Sequence, residues 1–154
     1  MLVRGAGAIR HREGRAMLVD EGLELLEDDD CFELLALQSI GRVALTMGAL
    51  PVVFPVNYKL DGRTILFRTG PGVKLAAAAH RAVIAFEVDD TDPAVRSGWS
   101  VLAVGVASLV DDPGELARLD RLAVSAWAGG NRQSLVKVPV EMISGRRILA
   151  SEGE

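Results

Sequence analysis

The chain has 154 residues, 49% of them hydrophobic, with a net charge of −4 and one cysteine. That length suits a single domain with its own core, and the negative charge speaks against nonspecific nucleic-acid binding. Cys31, His11 and His80 offer neither an internal disulfide nor zinc-ligand spacing, so no metal is expected; no apolar run is long enough to span a membrane, and the expected setting is cytoplasmic with no membrane partner.

Residues 1–16, with Arg4, Arg10, Arg12 and Arg15 but no apolar signal-peptide core, read as a peripheral N-terminal extension. Met1-Leu2-Val3 recurs at Met17-Leu18-Val19, and the domain is expected over 17–150. Asp28-Asp29-Asp30 ahead of Cys31 to Gln38 reads as a helix start, because Asp30 and Glu33 have capping-box spacing and acids suit the positive end of the helix dipole. Gly41 to Met47 alternates as a strand, Gly48-Ala49 turns the chain, and Leu50 to Leu60 returns. Asp61-Gly62 signals a two-residue hairpin into Arg63 to Thr69. If Leu60 opposes Arg63, then Val56 opposes Phe67 and Tyr58 opposes Ile65 on the core side. Pro55, Asn57 and Arg68 then share the other face. Pro55 also favours an edge or irregular position, where backbone groups stay open to a ligand.

A short helix is expected over Lys74 to His80 and a buried strand over Val83 to Val88. Asp89 to Gly98, rich in acids with Pro and Gly, reads as a loop. Trp99 to Val110 reads as a long strand with a bend or bulge at Gly105. Asp112-Pro113-Gly114-Glu115 starts a helix that runs to about Ala123, with Asp112 as N-cap and Pro113 at the first helical position. Trp127 to Gly130 is a loop, and Leu135 to Ile143 the last strand. The whole reads as mainly β within an α+β class: an antiparallel barrel, closed or partly closed, of six or seven strands with a few short flanking helices.

One stretch stands out chemically. Phe67-Arg68-Thr69-Gly70-Pro71-Gly72-Val73-Lys74 brings two cations, a hydroxyl and a glycine-rich turn to a helix start. Free N–H groups, the helix dipole and charge-assisted bonds together suit a phosphate. Walker A spacing is missing, so a phosphorylated cofactor is the better reading than a nucleoside triphosphate. The alternative is a plain turn with solvated flanking cations.

Pro55-Val56-Asn57-Tyr58, the Asp61-Gly62 hairpin, Phe67-Arg68-Thr69, Gly72-Val73-Lys74-Leu75 and Gly98-Trp99-Ser100-Val101, in that order, resemble the pyridoxamine 5′-phosphate oxidase-like superfamily. The nearest likeness is to its actinobacterial branch of small proteins related to nitroimidazole-resistance reductases, over roughly Leu34 to Ile148. The resemblance implies an FMN-binding split β-barrel that works as a homodimer, with the cofactor in a groove between subunits. It further implies that Val56 and Asn57 approach the isoalloxazine edge, with Pro55 also among the cofactor-binding residues. Arg68 and Thr69 would meet the ring or ribityl chain, and Lys74 would hold the phosphate. Trp99 and Ser100 would line the groove, and Trp127 would reach it from the partner subunit.

Two departures narrow the function. The C-terminal Arg146-Arg147-Ile148 has no histidine where pyridoxamine phosphate oxidases carry Arg-x-His, which argues against vitamin B6 oxidation. Arg68-Thr69-Gly70 stands where nitroimidazole-resistance proteins typically have His-Gly. The expected function is an FMN-dependent oxidoreductase of unassigned substrate, in which the flavin supplies the redox chemistry. The alternatives are an F420-dependent reductase, which would need a further basic groove from residues such as Arg63, Arg81 and Arg96, and a non-catalytic flavin or haem carrier or redox sensor.

Overall fold

The computed structural model describes residues 18–20, 22–122, 124 and 134–150. The extension over 1–16 and the loop containing Trp127 lie outside the described residues. The elements run β1 (Leu18–Asp20), β2 (Leu23–Leu26), α1 (Asp28–Leu37), β3 (Ile40–Met47), β4 (Leu50–Asp61), β5 (Thr64–Thr69), α2 (Val73–Ala79), β6 (Val83–Asp92), β7 (Ser97–Val106), β8 (Ser108–Leu109), α3 (Pro113–Asp120) and β9 (Ser134–Ile148). Among the described residues no helix is long and apolar enough to cross a membrane.

The strands form an antiparallel split β-barrel with a few short helices. Its ring runs β9-β5-β4-β3-β6-β7 and closes where β7 pairs with β9 again. Two long strands make closure possible by changing partners along their length. β4 pairs with β3 up to Asn57 and with β5 from Tyr58 onward. β9 pairs with β5 and β8 in its first half, and with β7 and β2 in its second. At Phe54 to Asn57, therefore, β4 has β3 on one side and no registered partner on the other. Pro55, which cannot donate to a ladder, sits in this stretch.

The core fills the barrel with alternate strand residues: Val43, Val56, Tyr58, Ile65, Phe67, Phe86, Val88, Val101, Val136 and Val138. Helix α1 adds Cys31, Leu34 and Leu35, and α2 adds Ala78. A second cluster lies outside the ring, where Leu119 of α3, with Leu116 and Leu122, covers Leu66 and Leu135. The register shift between Val104 and Gly105 is the expected irregularity, and it has a steric cause: a Cβ on Gly105 would lie 2.2 Å from the Pro139 carbonyl oxygen.

Several boundaries differ from the sequence reading. The hairpin turn is Gly62-Arg63, with Asp61 opposite Thr64, because Gly62 takes the positive φ of +58° that the turn's first corner needs. Tyr58 consequently opposes Phe67 and Leu60 opposes Ile65. The slip is two residues along the pairing, so inward and outward faces keep their assignments. Asp89 to Gly98 is not a loop: β6 and β7 extend to Asp92 and from Ser97, leaving only a short turn. Their acids are tolerated because they point outward to partners, Asp89 accepting from Arg42 at 2.8 Å and Asp90 from Gln38 at 3.1 Å. Helix α1 begins at Asp28 after Glu27 with no side-chain cap, so the Asp30–Glu33 capping box does not form. The last strand continues to Ile148, and α3 stops at Asp120.

Candidate functional site

Most of the residues singled out from the sequence gather where β4 parts from β3-only pairing and the chain leaves β5 for α2. Val56 is buried in the core opposite Gly41, and Pro55 is exposed opposite Arg42. Asn57 is half-buried with its amide nitrogen inside. Tyr58–Phe67 is the last registered pair between β4 and β5, and the next position on each strand is Asn57 and Arg68. Their shared outward face follows from strand parity.

Thr69 is 2% exposed, and its hydroxyl donates to the Gly70 carbonyl at 3.1 Å. The chain then turns through Gly72, whose φ of +138° only glycine adopts readily, and enters α2. Lys74, in the first turn of α2, sets its Nζ 4.8 Å from the centre of the Phe54 ring. Helix α2 packs against β8 and β9, and its Val73 and Ala77 lie against the barrel core.

Arg68 has a second allegiance. Its Nε donates to the Val124 carbonyl at 3.0 Å, and its terminal nitrogen pairs with Asp120 at the end of α3. Two further ion pairs hold α3: Lys137 donates twice to Glu115 at 2.7 Å, and Arg118 meets Asp61 at 2.9 Å. Asp112 caps the helix as expected, accepting from the Glu115 N–H at 2.7 Å. Asp120 carries no signal in the sequence, because its partner lies 52 residues away.

Trp99 and Ser100 stand apart. Ser100 pairs with Asp89 and Arg146, Trp99 with Asp90 and Arg147. Strands β3 and β6 intervene between Asn57 on β4 and Ser100 on β7, which is about 14 Å round the sheet at the usual strand spacing. The positions Arg63, Arg81 and Arg96 do not combine into a groove. Arg63 pairs with Asp29 at 2.7 Å beside the β4–β5 turn, Arg81 follows α2, and Arg96 lies in the β6–β7 turn.

Outside the barrel, one apolar row crosses five strands: Val53 of β4, Ala44 of β3, Ala85 of β6, Val104 of β7 and Met142 of β9 are successive register partners. Val53 is 60% and Met142 69% exposed. The alanines between them leave a shallow depression of about 290 Å³, with Val83 and Pro51 at its rim. Near one end of the row, Arg42 bridges Glu87 and Asp89 at 2.9 and 2.8 Å.

Comparison with known proteins agrees with this architecture. An uncharacterized protein of Mycobacterium tuberculosis, Rv0080, is 38% identical over 131 residues, covering 81% of this chain and 85% of its own. A solved structure described as the FAD binding protein from Mycobacterium smegmatis is 36% identical. It superposes with a TM-score of 0.67 over 80% of this chain and 97% of that one. An FAD-binding protein from Mesorhizobium loti, 21% identical, shares the fold with a TM-score of 0.70 over 81% of this chain and 97% of that one. The family model described as pyridoxamine 5′-phosphate oxidase matches residues 27–147, and the chain belongs to that family.

Proposed function

We propose that this chain is a flavin-binding oxidoreductase that holds FMN at the opening between β4 and α2. The observation that carries the reading is the placement of Arg68 and Lys74 on either side of the Gly70-Pro71-Gly72 turn, with Asn57 at the strand position across from Arg68. Such a donor set suits a ring edge rich in acceptors and a phosphate. The flavin supplies the redox chemistry when bound. Lys74 holds the phosphate, and Asn57 and Arg68 orient the ring edge.

A second copy of the chain completes the site. Support comes from the apolar row on the outer sheet, whose Val53 and Met142 stay exposed and which a second copy's row could cover. It comes also from the placement of Trp99 and Ser100, three strands from Asn57 in one copy; the partner's pair would line the groove instead.

A second reading, FAD in place of FMN, is favoured by the Mycobacterium smegmatis protein at 36% identity. F420 has less support, since Arg63, Arg81 and Arg96 occupy three separate turns. Absorption spectroscopy of the purified protein and mass spectrometry of the released cofactor test the reading. Titration of the apo protein with FMN and riboflavin tests Lys74. Lys74→Ala should weaken FMN roughly ten- to a hundredfold and leave riboflavin unchanged; equal loss for both removes Lys74 as the phosphate ligand. Sedimentation of the flavin-loaded protein as a monomer at micromolar concentration would exclude the shared site.

A further inference from the structure

Helix α3 ends on a carboxylate. Asp120 is its last residue, at the negative end of the helix dipole, where an acid is disfavoured. The helix therefore gains nothing from an acid at this position. What Asp120 does hold is Arg68 of β5, in an ion pair. The Arg68 Nε donates in addition to the carbonyl of Val124, just past the helix, at 3.0 Å. Two donors of one guanidinium are thus turned to the end of α3. The Arg68 side chain is 20% exposed and that of Asp120 51%, so the carboxylate reaches in from solvent to a largely covered cation. Arg68 lies on the same outer face of β5 as Leu66, which Leu119 of α3 covers. The ion pair continues that apolar contact towards the opening where β5 leaves for α2.

The other ion pairs of α3, Glu115 with Lys137 and Arg118 with Asp61, involve no residue of the proposed flavin site. Arg68 has two tasks: it fastens α3, and under the flavin reading it orients the ring edge. A carboxylate is a stronger acceptor for a guanidinium than a neutral ring carbonyl, because both partners are charged. Asp120 therefore draws Arg68 towards α3 and weakens its bond to a ring edge. Coupling through a shared group is reciprocal: what Asp120 takes from the flavin, a bound flavin takes from α3.

We propose that Asp120 regulates the flavin site by competing for Arg68, so that flavin binding and the docking of α3 oppose one another. The proposal rests on the flavin reading above and adds its regulation. The test is titration of apo protein with FMN and with riboflavin, for wild type, Asp120→Asn, Asp120→Glu and Asp61→Asn, joined to hydrogen exchange of the α3 amides with and without FMN. Asp120→Asn keeps an acceptor and removes the charge. It should tighten FMN and riboflavin alike by about two- to fivefold, the size of a partly exposed ion pair. Asp120→Glu restores the charge and should bind as wild type does. Asp61→Asn unties Arg118 but leaves the Arg68 pair in place, and should also bind as wild type does. FMN should speed exchange over Pro113–Asp120 in wild type and leave it unchanged in Asp120→Asn. Weaker or unchanged flavin binding by Asp120→Asn overturns the inference and leaves the flavin reading standing. So does a gain confined to FMN, which puts the carboxylate's effect on the phosphate rather than on Arg68. An equal gain in Asp61→Asn, or slower α3 exchange with FMN, overturns it as well. Binding of neither flavin by wild type or Asp120→Asn overturns both.

Discussion

Replacing Tyr58 by phenylalanine tests how the barrel holds α1. Tyr58 is 2% exposed on β4, its ring meets Phe86 edge-on at 4.9 Å between centroids, and its hydroxyl donates to the Leu35 carbonyl. Leu35 is in the last turn of α1, where carbonyls lack helical partners, and is itself 0% exposed. Tyr58→Phe keeps the ring and its apolar burial and removes only the donor. The Leu35 oxygen is then buried without its bond, which costs about 1–3 kcal/mol; loss of the hydroxyl's own desolvation offsets part, leaving about 1–2 kcal/mol. For a domain of this size that is a fall in Tm of roughly 3–8 °C. Thermal denaturation followed by circular dichroism measures it. The hydroxyl also gives a pH signature. Burial pushes the Tyr58 phenol above its ordinary 10, so the folded state favours the protonated form. Stability from this group is complete below about pH 10 and lost as pH rises towards the folded value. Wild type should therefore lose its advantage over Tyr58→Phe above pH 10. A variant within 1 °C of wild type at pH 7 would refute the view that this bond anchors α1.

Other expectations follow from close contacts and caps. Gly145→Ala places a Cβ 2.6 Å from the Cys31 sulfur and should cost about 1–3 kcal/mol by denaturant melts, with recovery of part of the loss on adding Cys31→Ala. Burial, with Asp28 and Asp30 nearby, pushes the Cys31 thiol from 9.0 to about 11. Its contribution is present below pH 9 and lost as pH rises to 11, and a Cys31→Ala variant should show a flatter stability profile across that window. Asp112→Ala removes the cap of α3 and should cost about 1 kcal/mol in a urea melt.

Period-two alternation made the barrel strands legible, and it survived the misplaced hairpin turn because the register error was even. Four features resisted. The acidic residues of β6 look like loop residues until Arg42 and Gln38, on other elements, are placed beside them. Arg146-Arg147 looks like the end of a strand, yet β9 continues through it because β7 and β2 flank it on both sides and Glu24 takes Arg147 at 3.2 Å. The turn from β5 into α2 around Lys74 was legible as local structure. That Arg68 is tied to Asp120 was not, since the tie depends on how α3 folds back over β5. Nor could alternation reveal that β3 and β6 separate Asn57 from Ser100, because strand order is a property of closure rather than of any one segment.

That β9 joins both halves of the ring has a consequence for biogenesis. Every strand it pairs with precedes it in the chain: β2, β5, β7 and β8. Until β9 is synthesised, β5 and β7 present open edges, and the apolar residues they will bury face solvent. Such edges recruit other chains. The pairings that close them also span long sequence separations, Arg147 with Glu24 being 123 residues apart, so closure is slow to find. The nascent chain should thus be most prone to aggregate in the interval between completing β7 and completing β9. Substitutions that weaken β9 should lower soluble yield more than they lower the stability of the protein that does fold.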